Sequence, residues 1–363
     1  MLIKDSITAL QYAQFVGTIN FNSIKPTVEM IESVYIENIL GTTLYNNLDA
    51  ALAAVTADTP VPLTDDNAKL LEKCRLVIGR YLCYHYAPIA EIQVSESGAR
   101  RSENSTSKTA FQYQVTNFRT ENLNQAELYT EKLLQFLEDN QTTYSDWTSS
   151  DSYKQYNQLF IKTAKDFDYN YKTAAPYRNY WALRWKMQDV EDQQIRDLLG
   201  DDCYNDIKTK NADNAYTWTD DEKRLVDMLK KGISYLSVAF SIPHLGVRID
   251  AMGITVAGQT TSSNDDSTKR ISAMDSKVSL LITTSENAGR TWLKRAYDFL
   301  VKNAASFPLF VPPTTGTAPD GNVEDPYKND VNNIYYPDDV RNRNTKTNPG
   351  GFNANLGGGF GLP

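Results

Sequence analysis

The sequence predicts a mainly α-helical protein made of two tandem copies of one module, each with three to four helices and a short β-hairpin or loop, followed by an extended C-terminal arm. Three observations predict this fold class: a repeat at nearly constant spacing, apolar residues at helical spacing in each copy, and a change of composition near the C-terminus. We place the first module at residues 1–140, a linker at 141–158, the second module at 159–310 and the arm at 311–363.

The repeat is clearest around the first predicted helix of each module. The segment from Ile31 to Asn46 returns from Val190 to Asn205 with an offset of 159 residues and six identities. A later match, Gln135 to Asn140 with Asp298 to Asn303, has an offset of 163, and the stretches between them match at 155. Matches that keep their order while the offset changes only in loops indicate a duplicated module.

Apolar spacing and capping residues predict the first two helices of each module. The first helix has one apolar face and ends at Gly41 or Gly200, because glycine tolerates the backbone conformation that ends a helix. The second helix is expected to run from a threonine to a proline, from Thr64 to Pro88 and from Thr219 to Pro243. In the second module Glu222 completes a capping box with that threonine.

A short strand or hairpin and a long third helix follow in each module. Alternating apolar residues precede Gly98 and Gly253, which is typical of a strand. The third helix is predicted near residues 108–140, and its counterpart has Gly289 in its interior, where glycine costs about 1 kcal/mol relative to alanine. Each module is therefore expected to be a helical unit with one projecting loop.

Composition argues against several classes of protein. The chain has 363 residues, with 37 Lys and Arg against 45 Asp and Glu, and no apolar run long enough to cross a membrane. We therefore expect a soluble protein made in a cytoplasm, with no membrane partner and no sequence-specific binding of nucleic acid. Its two histidines, His85 and His244, are not at equivalent positions, and its three cysteines lack metal-site spacing. The acidic pairs at the predicted helix N-termini suit the helix dipole: Asp65, Asp66, Asp220 and Asp221. We predict no catalytic residue, no cofactor, no metal and no enzymatic activity.

Tyrosine is concentrated around the join between the modules. Seven of the 22 tyrosines lie between residues 144 and 180, with tryptophans beside them. Three interpretations stay open: the aromatics fill the seam between the modules, they face another subunit, or they stack on bases. The candidate interface residues in this stretch are Tyr169, Tyr171, Tyr177, Arg178, Tyr180 and Trp181.

The C-terminal arm differs in composition from the rest of the chain. Its 53 residues hold seven of the 14 prolines and eight of the 18 glycines, so it cannot form a core of its own. We interpret it as a segment that orders on a partner during assembly. Its candidate interface residues are Ile334, Tyr335, Tyr336, Phe352 and Phe360, and the loop of the first module adds Arg100 and Arg101.

Four stretches of the first module together resemble a known group of proteins. They are Ile-Leu-Gly-x-x-Leu-Tyr-Asn-Asn-Leu from Ile39, the Tyr-His-Tyr-Ala-Pro end of the second helix, the loop Val-Ser-Glu-Ser-Gly-Ala-Arg-Arg, and Lys-Thr-Ala-Phe-Gln-Tyr from Lys108. The module is similar to uncharacterised proteins of Bacteroides genomes and their phages, to ring or adaptor proteins in the neck of crAss-like phages and, more distantly, to small helical head–tail connectors. The resemblance covers both modules and brings no catalytic residue.

The resemblance implies a virion protein at the head–tail interface that forms a homo-oligomeric ring, twelve-fold, in contact with the portal protein and with neighbouring neck and tail rings. DNA would pass through the ring without sequence-specific binding. The small connectors carry one module per chain, so which module of this chain faces the channel stays open.

Two other functions follow from the residues alone. One is an intracellular helical binding module whose Tyr- and Trp-rich seam takes a peptide or a glycan. The other is a carboxylate-dependent enzyme, which ranks last because no spacing in the sequence demands convergent Asp and Glu pairs.

Overall fold

The computed structural model of the chain describes residues 1–15, 19–55, 61–90, 92–95, 98–101, 111–155, 157–213, 215–245, 247–250, 253–256 and 275–311. For the four strands and for residues 245 and 275–277, only the backbone is described. The mainly helical tandem architecture expected from the sequence is confirmed in these residues. The arm beyond Val311 lies outside them, together with its candidate interface residues Ile334, Tyr335, Tyr336, Phe352 and Phe360.

The first module and the segment after it contain these elements in chain order: α1 (Ser6–Tyr12), α2 (Phe21–Ile31), a π-helical segment (Glu32–Glu37), α3 (Asn38–Leu40), α4 (Thr42–Val55), α5 (Asp65–Ala90), β1 (Ile92–Ser95), β2 (Gly98–Arg101), α6 (Gln112–Asp139), α7 (Ser145–Thr148) and α8 (Asp151–Lys154).

The second module repeats this order: α9 (Ala164–Asn170), α10 (Pro176–Val190), a π-helical segment (Glu191–Ile195), α11 (Arg196–Leu199), α12 (Asp201–Ala212), α13 (Asp220–Leu245), β3 (Val247–Asp250), β4 (Gly253–Val256), α14 (Asp275–Lys302) and a 3₁₀ turn (Ala304–Ser306).

The elements of the two modules correspond one to one at the predicted offsets. The two π-helical segments start 159 residues apart, α5 and α13 start 155 apart, and α6 and α14 start 163 apart. The hairpins also share one register, because Val94 pairs with Ala99 and Ile249 pairs with Ile254 in antiparallel strands. The duplication therefore extends to backbone details.

A positive-φ glycine and a threonine cap mark equivalent helix ends in both modules. Gly41 and Gly200 have φ of +77° and +75°, a conformation that L side chains rarely adopt, and they end the first long helix as predicted. The Thr219 N–H donates to Oε2 of Glu222 at 2.9 Å, while the Glu222 N–H donates to Oγ1 of Thr219 at 3.3 Å. The predicted capping box is therefore confirmed, and α5 and α13 each begin one residue after the threonine.

The second helix continues past its proline in each module, so the predicted ends at Pro88 and Pro243 are wrong. Helix α5 runs to Ala90 and α13 to Leu245. A proline near the end of a helix removes only one of the last backbone bonds, and the carbonyl left without that donor can bond elsewhere. At Pro88 this carbonyl belongs to Tyr84, and it accepts a 3.4 Å hydrogen bond from Nε of Arg119 on α6.

Buried side chains form two cores. One takes its members from residues 2–147, and the other from 159–310 together with Leu134 of α6. Tyr144 and Trp147 pack into the first core, at the positions that Phe307 and Phe310 occupy in the second. The segment assigned to a linker therefore begins as part of the first module, and the boundary at residue 140 is too early.

Small residues let the central helices of the second module pack closely. A Cβ added to Gly289 would lie 2.7 Å from Cγ of Leu236, and one added to Gly232 would lie 2.4 Å from Cδ2 of Leu293. A leucine of the opposite helix thus packs directly against each glycine, and a larger residue would collide with it. This close packing accounts for the glycine inside α14. The first module has Val77 at the position of Gly232, so its pair α5 and α6 packs with other side chains.

Candidate interaction surfaces

The aromatic residues around the join lie mostly inside the chain. Tyr177 and Tyr180 are buried, and the Tyr180 hydroxyl donates to the carbonyl of Ile161 at 3.1 Å. The guanidinium of Arg184 lies 3.6 Å from the centre of the Trp181 ring, and its Nη1 donates to the carbonyl of Ser152 at 3.0 Å. The Arg184 contact connects α10 to the segment that follows the first module, and the Tyr180 contact connects it to the start of the second module.

Trp181 contacts both cores. Its ring stacks on that of Trp147, with 5.9 Å between centroids, and it packs against buried residues of both modules. The space left beside the two rings is a small cavity of about 10 Å³ with a mixed polar and aromatic lining, which is room for about one water molecule. The structure thus favours the first interpretation of the seam. The interface role predicted for Tyr177 and Tyr180 is wrong, because they are buried within the chain, and the partly buried Trp181 is packed between the two modules.

Carboxylates of α6 hold the two modules together. Glu131 accepts the backbone N–H groups of Tyr177 and Arg178 at 3.0 and 2.8 Å, and so caps a helix whose own N-cap residue offers no side-chain oxygen. Glu138 accepts the N–H of Ala164 at 3.0 Å in the first turn of α9. The N-terminal ends of both helices are positive, so the acidic face of α6 stabilises them.

Arg178 belongs to this junction rather than to a free surface. Its Nη1 lies 3.1 Å from a carboxylate oxygen of Glu127 on α6. Tyr171 is half-buried against the ring of Tyr235, whereas Tyr169 is 76% exposed. Within the predicted Tyr-rich set, Tyr169 is therefore the most exposed side chain.

The basic pair of the first loop lies on a described strand. Arg100 and Arg101 are in β2, where they pair with Gln93 and Ile92 of β1. Their side chains lie outside the described part of the structure. The hairpin follows α5 and precedes α6 in the chain.

A buried glutamate, which the sequence analysis did not single out, opens each π-helical segment. The carboxylate of Glu32 accepts the backbone N–H groups of Leu2 and Ile3, at 2.9 and 3.1 Å, and the hydroxyl of Tyr45 at 2.7 Å. The N-terminal amine of Met1 lies 4.0 Å away. This carboxylate fixes the start of the chain against the π-helical turn.

The second module has an equivalent buried glutamate, Glu191, with a different partner. Glu191 accepts the N–H of Phe160 at 2.7 Å and forms an ion pair with Lys208. Burial raises the pKa of Glu191 to about 7, although Lys208 and the Phe160 N–H act in the opposite direction. The signal was present in the sequence, because this glutamate and the tyrosine 13 residues later are two of the six identities of the repeat.

The histidines and cysteines pack against, or form hydrogen bonds with, other residues of the chain. Nε2 of His85 lies 3.0 Å from the Tyr35 hydroxyl, and burial together with nearby Arg119 lowers the pKa of this histidine. The ring of His244 meets that of Trp185 edge-on. Burial raises the pKa of all three cysteine thiols. Among the described residues, no group of three or more His, Cys, Asp or Glu side chains is arranged to hold a metal ion.

Large apolar side chains are exposed where the hairpins leave the helical pairs. In the first module Phe111 and Tyr113 are 69% and 62% exposed and stack on each other, and Ile89 lies at the same end of the pair. In the second module the second turn of α14 exposes Leu280 and Leu281. We call the five residues Ile89, Phe111, Tyr113, Leu280 and Leu281 the hairpin-end surface.

No described helix is both long enough and apolar enough to span a bilayer.

These features define a tandem-repeat helical protein whose modules are joined by carboxylate caps and whose hairpin ends expose apolar side chains. The chain belongs to the DUF6712 family, a family of unknown function, whose model matches residues 36–157 and 195–320. The two matched ranges begin 159 residues apart and end 163 apart, as the structural repeat does. No significant match was found among curated proteins or among solved structures.

Proposed function

We propose that the protein is a structural subunit that assembles into a closed ring, of the head-to-tail connector kind found in the neck of a tailed phage. In this role it contacts the portal protein and neighbouring neck or tail rings, and DNA passes through the channel. The net charge of −8 suits a channel wall, because an acidic wall repels phosphates rather than holding them.

The observation that carries the proposal is the hairpin-end surface. Large apolar side chains are exposed at the start of α6 in the first module and in the second turn of α14 in the second, in each case on the helix that follows a hairpin of the same register. Exposed apolar clusters of this kind mark protein contacts, because burying them against a partner removes apolar area from water. A subunit with two such ends has two places at which to meet other subunits.

The seam offers little support for the alternative of a peptide- or glycan-binding module. Its aromatic rings pack on each other and on Arg184, and the cavity beside them has room for about one water molecule. A more open groove of 470 Å³ lies nearby, and its lining includes Ser33, Glu37, Thr42 and Ser150. Its short polar side chains provide hydrogen bonds but no apolar or aromatic anchor.

Analytical ultracentrifugation of the full chain, with and without portal protein, tests the proposal. We expect the wild type to form one large species, and the double variant Phe111→Ser with Tyr113→Ser to shift strongly toward monomer. Leu128→Ser is the matched control, since Leu128 is exposed in the middle of α6, away from the hairpin end. A wild-type chain that stays monomeric at high concentration and with portal protein present would contradict the proposal.

A further inference from the structure

The face of α6 that receives the second module has a counterpart on α14, and the counterpart carries the opposite charge. On α6 the face is acidic and accepts the N-terminal ends of α9 and α10. At the offset of 163 residues three acidic residues become basic: Glu127 corresponds to Arg290, Glu131 to Lys294 and Asp139 to Lys302. Along the full helices, α6 has five acidic and two basic residues, and α14 has three acidic and five basic.

These basic side chains are accessible. The Lys294 side chain is 51% exposed, and Lys302 and Val301 are also exposed. Arg290 and Lys294 pair with Glu286 and Asp298 one turn away on the same helix. The pair of Lys294 with Asp298 is exposed on both sides, and exposed pairs of this type contribute little to stability. We call Arg290, Lys294, Val301 and Lys302 the α14 face.

The reversed charge excludes the partner that α6 has. The N-termini of two helices bring partial positive charge, which Glu131 and Glu138 stabilise but which Lys294 would repel. A simple continuation of the repeat, with α1 and α2 of another chain on α14, is therefore unfavourable. The α14 face instead fits a surface that is rich in carboxylates.

The first module of a second copy supplies such a surface. Residues 1–140 contain 17 Asp and Glu against 11 Lys and Arg, whereas residues 159–310 contain 20 against 21. Of the 17, 13 remain in the first module when four that already bind groups within the chain are set aside, namely Glu32, Glu127, Glu131 and Glu138. Exposed carboxylates of the first module include Glu29 and Asp66. The apolar Val301 among the cations, with exposed Leu309 nearby in sequence, suits a protein partner better than a phosphate backbone.

We propose that the α14 face binds the acidic first module of a neighbouring copy of this chain. The contact rests on the proposed ring assembly and names one of its interfaces. It is head-to-tail, because the two surfaces belong to different modules, and contacts of this type close into rings when the rotation between subunits permits. Opposite charges also make the contact sensitive to ionic strength.

Zero-length carbodiimide cross-linking of a mixture of ¹⁴N- and ¹⁵N-labelled full-length chains tests the contact. We expect mixed-isotope cross-links that join Lys294 or Lys302 of one chain to Asp or Glu residues between 1 and 140 of another. A chain that assembles but gives α14 cross-links only within single isotopes would overturn the contact and leave the ring proposal intact. A wild-type chain that stays monomeric would overturn both.

A charge variant separates this contact from a merely structural role. Arg290→Gln with Lys294→Gln should raise the concentration for half-assembly at least about tenfold, which corresponds to about 1.4 kcal/mol, with unchanged circular dichroism and thermal midpoint. Lys172→Gln with Lys223→Gln removes the same charge from exposed sites of the same module and should leave assembly unchanged. Unchanged assembly of the α14 variant, with loss of binding to a DNA duplex instead, would overturn the proposal in favour of a polyanion partner.

Discussion

The two modules hold the same backbone with different side chains, and their buried glutamates are the clearest case. In the first module the carboxylate of Glu32 is satisfied by backbone N–H groups, a tyrosine hydroxyl and the chain's own amine. In the second, Glu191 has one backbone N–H and the ammonium of Lys208. The π-helical turn, its glutamate and the backbone N–H of Leu2 or Phe160 are therefore common to both modules, while the remaining partners of the carboxylate differ.

Removing the two glutamates gives the largest expected difference between the modules. Glu32→Ala leaves two buried N–H groups and a hydroxyl without an acceptor, so we expect the free energy of unfolding to fall by about 3–5 kcal/mol. Glu191→Ala should cost less, because Lys208 can turn toward solvent. Urea unfolding followed by circular dichroism measures both, with the exposed Glu29→Ala as control. Equal losses of free energy for Glu32→Ala and Glu191→Ala would contradict the expectation that the different partners make the loss of Glu32 more costly.

The glycines between α13 and α14 test whether close packing is specific to the second module. Gly289→Ala places a methyl group 2.7 Å from Cγ of Leu236, and we expect a loss of about 1–3 kcal/mol from overpacking. The first module already has Ala126 at this position. The double variant with Leu236→Ala should show a favourable coupling between the two sites in a thermal or urea unfolding cycle. Additive effects would mean that the two side chains do not collide.

The sequence predicted the repeat, its three offsets, the glycine ends and the capping box, because each depends on residue types at local spacing. It did not predict the carboxylate caps of Glu131 and Glu138, since these act on backbone groups between 26 and 47 residues away. The π-helical segments were also missed, because a one-residue widening of a helix leaves almost no trace in apolar spacing. Three interpretations of the seam fit the sequence, and the packing of Trp181 between the two cores favours the one in which the aromatics fill the seam within the chain.

The equivalent positive-φ glycines of the two modules, Gly41 and Gly200, allow a direct comparison with a smaller expected effect on stability. Both Gly41→Ala and Gly200→Ala force an alanine into an unfavourable backbone conformation, at about 1–3 kcal/mol each. At Gly41 the new Cβ would also lie 2.6 Å from Cβ of Ser150, whereas nothing lies within 4 Å of it at Gly200. Thermal unfolding should therefore show the greater loss for Gly41→Ala, and Ser150→Gly should relieve the excess. The reverse order would contradict the close approach of Ser150 to Gly41.

Acid sensitivity provides the smallest expected difference. Burial would raise the pKa of Glu222, but hydrogen bonds from Thr219, Lys210 and Tyr216 outweigh it and lower the pKa to about 2. Its stabilisation is therefore complete above pH 4.5 and is lost as the pH falls toward 2. The first module has Asn67 at this position and lacks that dependence.

Glu222→Gln should accordingly lower the free energy of unfolding by about 1–2 kcal/mol at pH 7 and by much less at pH 2. The measurement is urea unfolding at a series of pH values. Glu191 acts in the opposite sense, because its raised pKa means that stability falls as the pH rises from 4.5 to 7. A loss for Glu222→Gln that does not change with pH would show that the carboxylate charge has no part in the cap.

Electron microscopy of the full-length chain would show both the ring and the place of each module in it. We expect closed rings of twelve subunits, with α14 of each subunit at the boundary against the first module of its neighbour. Isolated particles of one 40.9 kDa chain under all conditions, including the presence of portal protein, would contradict this expectation.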